Sequence, residues 1–471
     1  MGIKMEEQFI PKKNEQISLE ICDLGEEGFG IGKYHGYTLF MKDAIPGDFV
    51  EALILKGKKT YGYAKVLRIL KPSPYRVKPL CPLASKCGGC QLQHLIYEKQ
   101  LEYKWNKVRN CLKHIGSIPE PPIEEIIGME EPYYYRNKAQ FPVGRGKNGE
   151  LLIGFYAGRT HTIMNTEHCY LQAKINTELI KRIRNFLERE KISIYEEVTG
   201  KGLIRHIMTR IGFRTGEVMV CLIINGEYLP HQETFIQELK AIEKENPDYH
   251  IKSICCNINQ EKTNVILGEK VIPIYGEPYI TDWIGEVKFR ISPLSFYQVN
   301  PVQTERLYKK VLEFAQLNGN EIVWDLYCGI GTISLFLARQ AKMVYGVEVV
   351  AQAIEDAKKN AKLNEITNAM FFVGEAETVF PEKYQQSNGE MRADVVVIDP
   401  PRKGCDEAVL NTIAKMEVER VVYVSCDPAT LARDIKFMRQ KGYEMINGAA
   451  VDMFGETYHV ETVVLIERKD T

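Results

Sequence analysis

The residues of this chain that could do nucleophilic chemistry stand where strands end near the C-terminus. ERVVYVSCDPATLARD places Cys426 after an apolar strand and just before a helix, and ADVVVIDPPRKG places Asp399 after the preceding strand. Because ligands of open α/β sheets bind at the carboxyl ends of strands, both side chains should face one pocket. A cysteine there is more often a small core residue, but the helix N-terminus beside Cys426 is expected to favour its thiolate form.

A glycine turn upstream predicts a cofactor site. EIVWDLYCGIGTISLFLA ends a strand at Asp325, turns at Gly329 and Gly331 and then starts a helix. Glu348 closes the next strand, where a carboxylate can accept hydrogen bonds from ribose hydroxyls. A dinucleotide site fits poorly, since Ser334 replaces the third glycine of Gly-x-Gly-x-x-Gly. The pattern instead resembles the S-adenosylmethionine site of class I methyltransferases.

An acid near the chain end completes a candidate catalytic set. Glu461 lies in YHVETVVLIE, whose apolar residues would raise its pKa. In a methyltransferase such a pair of a cysteine and an acid has a specific use if the acceptor is a uracil base: a thiolate that adds at carbon 6 makes carbon 5 nucleophilic enough to take a methyl group, and a base must then remove the carbon 5 proton. Cys426 and Glu461 are candidates for these two roles. Glu461 could instead be a polar edge residue, which periodicity alone does not exclude.

Three close cysteines, Cys81, Cys87 and Cys90, have the C-x5-C-x2-C spacing of metal ligands. Zinc or an iron–sulfur cluster would need a fourth ligand, for which Cys169 is available and His168 is a weaker substitute. The spacing does not separate zinc from iron–sulfur.

The elements that must position these residues differ along the chain. Residues 15–71 alternate apolar and polar positions in short runs, as in a small β-barrel, whereas 281–471 alternates strands with amphipathic helices, as in a doubly wound parallel sheet. A helical linker at about 93–125 is predicted to pack on the last domain. We predict a multidomain fold: an N-terminal OB-like β-barrel (12–72), an α+β middle domain with the metal cluster (73–285) and a C-terminal α/β Rossmann-like domain (286–471).

Composition limits the function classes. The 471 residues are 45% hydrophobic and balance 61 lysines and arginines against 62 acids, which excludes a disordered chain and a uniformly basic one. The first residues lack the apolar core of a signal peptide, and no apolar run is long enough to span a bilayer. With 12 cysteines too sparse for a disulfide scaffold, we expect a reducing cytosol and no membrane partner.

Basic residues cluster in three runs, which are either solvated faces or RNA contacts. Pro132–Gly149 interleaves tyrosines and Phe141 with basic residues, and another run contains Arg205, Arg210 and Arg214. Basic side chains beside aromatic ones suit phosphate contact and base stacking, and favour unstacked RNA over duplex DNA. Between Ala52 and Tyr97 there is no acid but nine basic residues: Lys56, Lys58, Lys59, Lys65, Arg68, Lys71, Arg76, Lys78 and Lys86.

Together these motifs resemble bacterial RNA uracil-5 methyltransferases, most closely the 23S rRNA members, over nearly the whole chain. SPLSFYQVN, DLYCGIGT, DPPRKG, SCDPATLARD and HVET follow the family's order. The resemblance implies that Cys426 is the nucleophile, Glu461 the base and Asp399 a hydrogen-bond partner in the pocket. Asp427 is a small departure, since the family more often has Asn there.

The resemblance also implies the ligands. Gln298 would contact S-adenosylmethionine, Phe296 would lie near the target base, and Tyr327 would line the cofactor. The barrel resembles a TRAM domain, an RNA-binding module. The implied cofactor-binding set is Phe296, Gln298, Asp325, Tyr327, Gly329, Gly331, Glu348 and Asp399. The implied [4Fe–4S] ligands are Cys81, Cys87, Cys90 and Cys169, with zinc as the alternative metal.

The sequence therefore predicts a cytoplasmic, monomeric methyltransferase of class EC 2.1.1. Its substrate would be a single-stranded or loop uridine of 23S rRNA, converted to 5-methyluridine. The alternatives are a tRNA uracil-5 methyltransferase and an RNA cytosine-5 methyltransferase, which would need a protonated Asp399 as a donor to cytosine N3. A non-catalytic RNA-binding assembly factor is the alternative outside enzymes.

Overall fold

A computed structural model describes residues 9–387 and 390–469, which fall into two compact units. The barrel unit extends to Lys107 and also contains Phe454–Tyr458, whereas the large unit comprises Val108–Met453 and the residues from His459 onward. Residues 1–8, 388, 389, 470 and 471 lie outside the description, including the end of the predicted C-terminal domain. Within the described ranges, no helix has the length and apolar character that crossing a bilayer requires.

The barrel unit contains a closed five-stranded barrel, as the alternating pattern predicts. Its strands are β1 (Gln16–Leu24), β2 (Gly30–Tyr34), β3 (Tyr37–Lys42), β4 (Phe49–Gly57) and β5 (Tyr61–Lys71). They neighbour one another in the order β1-β2-β3-β5-β4, and β3 pairs with β5 in parallel. Every second residue at the start of β1 is buried, so that Ile17, Leu19 and Ile21 fill the barrel core.

Residues that follow the barrel, as far as Lys107, belong to the same compact unit as the barrel. Buried Asp48 accepts hydrogen bonds from the backbone of Ile45 and Ser73, each at 2.9 Å, and pairs with Arg76. Helix α1 (Tyr97–His114) begins further on, and the barrel unit extends to Lys107 within it. The segment that carries the first three predicted metal ligands, which the sequence analysis put in the middle domain, therefore lies in the barrel unit.

A short return segment, Phe454–Tyr458, completes the barrel unit. The backbone N–H groups of Gln91 and Leu92 both donate to the Glu456 carbonyl at 3.0 Å. The Gln100 side chain also donates to Glu456 Oε2 at 3.1 Å. Five residues from near the chain end are thus part of the N-terminal unit.

The first layer of the large unit is a mixed sheet covered by helices. Its elements are β6 (Lys138–Arg145), β7 (Leu151–Tyr156), β8 (Ile163–Asn165), α2 (Asn176–Arg189), β9 (Ile204–Ile211), β10 (Glu217–Ile224), α3 (Gln232–Lys240), α4 (Ile242–Glu245), β11 (His250–Ile258) and β12 (Lys270–Gly276). The strand order is β12-β11-β10-β9-β6-β7-β8, with β10 and β11 parallel. Phe186 of α2 and Phe235 of α3 pack with ring centroids 4.8 Å apart in its core.

The second layer is a sheet with a reversal of strand order. After the hairpin β13 (Ile280–Ile284) and β14 (Val287–Ile291) come α5 (Pro301–Ala315), β15 (Ile322–Leu326), α6 (Thr332–Ala338), β16 (Met343–Glu348), α7 (Ala351–Leu363), β17 (Ala369–Val373), α8 (Ala376–Gln386), β18 (Val395–Ile398), α9 (Glu407–Lys415), β19 (Arg420–Ser425), α10 (Pro428–Gln440), β20 (Tyr443–Val451) and β21 (Glu461–Arg468).

The strand order of this second sheet is β17-β16-β15-β18-β19-β21-β20. β15 pairs in parallel with both β16 and β18, whereas β21 runs antiparallel to β19 and β20. Along the chain, β16 and β17 are placed on one side of β15. The later strands, beginning with β18, are placed on its other side. Such a reversal opens a ligand crevice at the carboxyl ends of the two central strands, here β15 and β18.

Candidate active site

The three predicted catalytic side chains lie at one edge of the second sheet. Asp399 directly follows β18, Cys426 directly follows β19, and Glu461 is the first residue of β21. Because β21 is antiparallel to β19, with Thr462 opposite Ser425, it begins at the edge where β19 ends. The three side chains are therefore brought together at the crevice.

Burial and mutual repulsion control the protonation of this group. Burial, and then Asp399, raise the pKa of Glu461 well above its usual value. Burial raises the pKa of Asp399 to about 7. Burial, followed by Glu461 and Asp399, raises the pKa of Cys426 to about 12, against the opposite effect of Arg402. The resting thiol is therefore protonated at neutral pH.

The helix beside Cys426 does not hold it as a thiolate, contrary to our expectation. Asp427 caps α10 by accepting hydrogen bonds from the backbone N–H groups of Ala429 and Thr430 at 2.9 and 3.1 Å. These amides are therefore already bonded to Asp427, and burial with the acids Glu461 and Asp399 raises the pKa of the thiol. The capping contact also explains why an acid is tolerated at position 427, since Asp and Asn are both good N-caps.

The glycine turn after β15 is bonded to the predicted ribose-binding acid. Tyr327, Gly329 and Gly331 have positive φ values of 70°, 55° and 79°. The positive φ of Gly331 favours glycine, and a Cβ there would also make a tight contact of 3.2 Å with the Ala357 side chain. The backbone N–H of Gly329 donates to Glu348 Oε2 at 3.2 Å, which places the carboxylate beside the turn.

Asp325 is completely buried in β15. Its Oδ2 accepts a hydrogen bond from Ser334, so the serine that interrupts the dinucleotide pattern ties α6 to the strand. Burial raises the pKa of Asp325 to about 7. Its Oδ1 is buried and has no hydrogen-bond partner among the described residues. This acceptor, Glu348 and the turn backbone suit a cofactor with ribose hydroxyls and an amine.

Segment 292–300, which carries two predicted cofactor or target contacts, is anchored to the first sheet. Asn137 Nδ2 donates to the Gln298 carbonyl at 2.9 Å, and Arg210 of β9 donates to two other carbonyls of the segment. The Phe296 side chain is 70% exposed, whereas Gln298 is 8% exposed. The anchors fix the backbone and leave Phe296 free to meet a ligand.

The basic run with Arg205, Arg210 and Arg214 is wrong as a description of an RNA surface. The run Pro132–Gly149 is buried in part, whereas Arg145 and Lys147 in it are exposed. Arg205 and Arg210 are buried, and burial lowers the pKa of Arg210 to about 10. Arg214 is bonded to protein groups, and Tyr135 and Phe141 of the second run are buried. The sequence of β9, IRHIMTRI, offered a signal, because apolar residues on both faces indicate that both faces are covered.

The run between Ala52 and Tyr97 does lie at the surface of the barrel unit. All of its lysines are exposed, whereas its two arginines pair with Glu51 and Asp48. Lys58 donates to the Tyr61 hydroxyl at 2.8 Å, and the Tyr61 ring packs against Phe40 and Tyr63. Exposed lysines beside an aromatic cluster suit single-stranded RNA.

The predicted metal cluster is not shown by the structure. Gln93 joins two of its cysteines, because its Oε1 accepts from the Cys81 backbone and its Nε2 donates to Cys90 Sγ, both at 3.2 Å. The backbone N–H of Gly89 donates to Cys87 Sγ at 3.4 Å. Cys169 belongs to the large unit. Across the described ranges, no group of three or more Cys, His, Asp or Glu is arranged to hold a metal ion.

The reversed sheet, its glycine turn and the acid at the end of the next strand define a class I methyltransferase. The TRAM domain family matches residues 12–67, and the tRNA (uracil-5-)-methyltransferase family matches residues 96–469. The chain belongs to this second family, and it is an S-adenosylmethionine-dependent RNA methyltransferase with an N-terminal TRAM barrel.

Relatives are similar to almost the whole chain. An uncharacterized RNA methyltransferase of Halalkalibacterium halodurans is 50% identical over 459 residues, covering 97% of this chain and 98% of the relative. A protein of the same description from Clostridium tetani is 48% identical over 455 residues, covering 97% of each. Pyrococcus abyssi tRNA (uracil-54, C5)-methyltransferase, solved with S-adenosyl-L-homocysteine, matches with a TM-score of 0.76 and 28% identity, covering 96% of this chain and all of that one.

Proposed function

We propose that this protein methylates carbon 5 of a uridine in 23S rRNA through a covalent adduct with Cys426, giving 5-methyluridine. The observation that carries the proposal is the convergence of Cys426, Asp399 and Glu461 at the edge that also holds the glycine turn and Glu348. Family membership gives the reaction class, and the position and chemistry of the three side chains suggest their roles.

Each of these side chains has a distinct task. Cys426 adds to carbon 6 of uracil, which makes carbon 5 nucleophilic. S-adenosylmethionine supplies the electrophilic methyl group when it is bound. Glu461 then removes the proton from carbon 5, and the thiolate leaves. Asp399 hydrogen-bonds the polar edge of the base and thereby orients it.

The pocket must take up the proton of Cys426 during addition. Burial raises the pKa of Asp399 to about 7, so this carboxyl is partly ionised at neutral pH and can accept a proton. Burial and neighbouring acids raise the pKa of Cys426 and of Glu461, whereas Arg402 acts in the opposite direction on both. Arg402 therefore favours the ionised forms that addition and proton removal require.

Trapping the adduct tests the two central roles. Glu461→Gln should still allow addition and methyl transfer, so methylated RNA should accumulate on the protein as a complex that survives denaturing electrophoresis. Adding Cys426→Ala should abolish the complex. Two substitutions are matched controls that should methylate RNA normally. Glu467→Gln lies at the other end of the same strand, β21, and Cys22→Ala lies in the barrel.

Two outcomes would contradict these roles. A Glu461→Gln protein that is folded and inactive but traps no RNA would remove Glu461 from the role of base. A Cys426→Ala protein that still forms product would exclude covalent catalysis by this cysteine. Thermal unfolding of each variant shows whether it is folded.

We base the choice of 23S rRNA on the resemblance of the chain, with its barrel and cysteine segment, to the rRNA-specific members of the family. A tRNA is the second candidate, because the P. abyssi enzyme is named for tRNA uracil-54 and matches nearly the full chain. Purified protein should be given unmodified 23S rRNA and unmodified tRNA in parallel. We expect 5-methyluridine in the rRNA, and methylation of the tRNA alone would overturn the rRNA proposal.

The same product analysis tests the remaining alternatives. Because burial raises the pKa of Asp399 to about 7, its protonated form is also present at neutral pH and could donate to cytosine N3. This carboxyl alone therefore does not exclude cytosine, and 5-methylcytidine as the product would favour that alternative. RNA binding without any methylation would favour an assembly factor.

We further propose that Cys81, Cys87, Cys90 and Cys169 hold a [4Fe–4S] cluster with a structural role, and that the protein is a monomer. No catalytic step is assigned to the metal, because the methyl transfer needs no electron. Anaerobically purified protein should be brown. Colourless, active protein with stoichiometric zinc would exclude the iron–sulfur cluster.

A further inference from the structure

The loop after β18 is held against α10 by a compact set of hydrogen bonds. This loop, residues 399–405, begins with Asp399, and α10 begins just after Cys426. Its last residue, Cys405, donates its backbone N–H to Asp434 Oδ2 at 2.9 Å and to the Tyr423 hydroxyl at 3.1 Å. The two segments that carry these predicted catalytic groups are thus hydrogen-bonded to each other.

Asp434 is the centre of this set. It is 3% exposed, and its Oδ2 also accepts a hydrogen bond from the Tyr423 hydroxyl at 2.7 Å. Its Oδ1 pairs with Arg433 at 2.7 Å. Arg433 in turn donates to the Lys403 carbonyl at 3.0 Å, so neighbouring side chains of α10 bind neighbouring residues of the loop.

The loop approaches the helix too closely for a side chain at Gly404. Gly404 has a φ of 82°, and a Cβ there would lie 2.5 Å from Arg433 Nη2 and 2.7 Å from Asp434 Oδ2. One turn earlier in α10, the Thr430 hydroxyl donates to the Arg402 carbonyl at 3.3 Å. Four consecutive loop residues, 402–405, are therefore fixed against three side chains of α10.

The glycine turn after β15 also contacts Cys405. The Tyr327 hydroxyl lies 3.8 Å from Cys405 Sγ, at hydrogen-bonding distance for sulfur. The segments that follow β15, β18 and β19 thus meet around Cys405. Small shifts there would be transmitted to the spacing of the reacting groups, because close-packed interiors transmit strain.

We propose that Asp434 is a positioning residue for methyl transfer, which fixes the loop bearing Asp399 and Arg402 relative to Cys426. This inference rests on the proposed roles of Asp399 and Cys426. Asp434 does not touch the reacting atoms. Its carboxylate sets their geometry by binding the Cys405 amide and the Tyr423 hydroxyl at once.

The test compares substitutions that weaken the hydrogen bonds around Asp434 with one that removes a similar hydrogen bond elsewhere in the same sheet. Asp434→Ala removes both hydrogen-bond acceptors, Asp434→Asn keeps an oxygen that can accept from Cys405, and Tyr423→Phe removes the shared hydroxyl. Tyr443→Phe is the matched control, because Tyr443 is equally buried in the same sheet and its hydroxyl donates to the Val418 carbonyl at 2.8 Å. Thermal unfolding selects a temperature at which all four variants are folded.

We expect kcat to fall and KM values to stay close to wild type, because positioning affects the reacting groups more than ligand binding. A displacement of about 1 Å can cost about 100-fold in rate, so Asp434→Ala should lose roughly that much. Asp434→Asn and Tyr423→Phe should lose less, and the partial rescue by Asn identifies the acceptor oxygen as the important feature. Tyr443→Phe should keep the kcat of the wild type.

Alkylation of Cys426, followed by mass spectrometry without RNA, gives a readout independent of the methylation reaction. Burial, Glu461 and Asp399 raise the pKa of Cys426, and the effect of Asp399 exceeds the opposite effect of Arg402. Releasing the loop should therefore shift the alkylation profile of Asp434→Ala to lower pH and speed the reaction. The Tyr443→Phe profile should match the wild type.

The two measurements separate failure of the inference from failure of the proposed function. An Asp434→Ala protein with normal kcat and a normal alkylation profile would overturn the positioning role. Equal losses in Tyr443→Phe and Tyr423→Phe would also overturn it, because they would indicate general destabilisation. If the wild type does not methylate RNA at all, the proposed function fails, whereas the alkylation profiles still show whether Asp434 positions the loop.

Discussion

Replacing Asp399 by Asn should make the protein more stable at neutral pH while it makes the enzyme less active. Burial raises the pKa of Asp399 from 3.8 to about 7, so the folded protein disfavours its ionised form. Above neutral pH the wild type must carry that charge in the pocket. Asn has nearly the same shape and carries no charge, so the substitution removes this cost.

The size and sign of the effect follow from the two pKa values. A carboxyl that is harder to ionise when folded stabilises the fold fully below pH 3.8, and that stability declines as the pH rises to about 7. The full shift corresponds to at most about 4 kcal/mol. The free energy of unfolding of Asp399→Asn should therefore exceed that of the wild type by up to that amount at pH 8, and by little or nothing at pH 4.

Urea unfolding of both proteins between pH 4 and pH 8 measures this difference. Asp394→Asn is a matched control, because Asp394 lies just before β18, at the end of the strand away from the pocket, and is partly exposed. The control should show no gain in stability as the pH rises. If Asp399→Asn is no more stable than the wild type at pH 8, or if its gain does not depend on pH, the electrostatic account of the pocket is wrong.

Three further experiments test other parts of the molecule. Charge reversal at Lys56, Lys58 and Lys59 should weaken RNA binding and reduce the log–log salt slope by about 0.7–0.9 for each lost phosphate contact; an unchanged slope would exclude these contacts. Arg210→Met should lower kcat and speed amide exchange in segment 292–300, and Arg210→Lys should restore part of both; normal exchange would exclude anchoring. Cys169→Ser should abolish the brown colour of anaerobic protein, and persistent colour would exclude this ligand.

Patterns within single elements predicted the barrel, the parallel sheet and the edge that carries Cys426 and Asp399. The alternation of buried and exposed residues in β1 can be predicted from the local sequence alone. The same holds for the change from apolar to polar residues at the ends of β18 and β19. The protonation of Cys426 could not be predicted in this way, because it depends on Glu461 and Asp399 from other strands. The helix start and both acids were visible in the sequence, but the burial of the thiol, which is the largest cause of its raised pKa, depends on the packing of several elements.

Buried polar residues were the main source of error. Arg210 and Arg205 look like surface cations in a list of charges, yet β9 is covered on both faces. Asp434 was visible only as the end of a motif, because its partners Cys405 and Tyr423 come from other elements. The sequence also gave no sign that Phe454–Tyr458 belongs to the barrel unit, because hydrogen bonds to backbone carbonyls do not depend on residue type.

The return segment has a consequence for folding during synthesis. Gln100 and Glu456, which hydrogen-bond in the barrel unit, are separated by 356 positions. Chains emerge from the ribosome with the N-terminus first, and N-terminal domains generally fold first. The newly made barrel unit is therefore incomplete until almost the whole chain has been translated. Until then, the amides of Gln91 and Leu92 lack their final acceptor, the Glu456 carbonyl. A nascent or prematurely terminated chain would present an N-terminal unit that differs from the one in the finished enzyme.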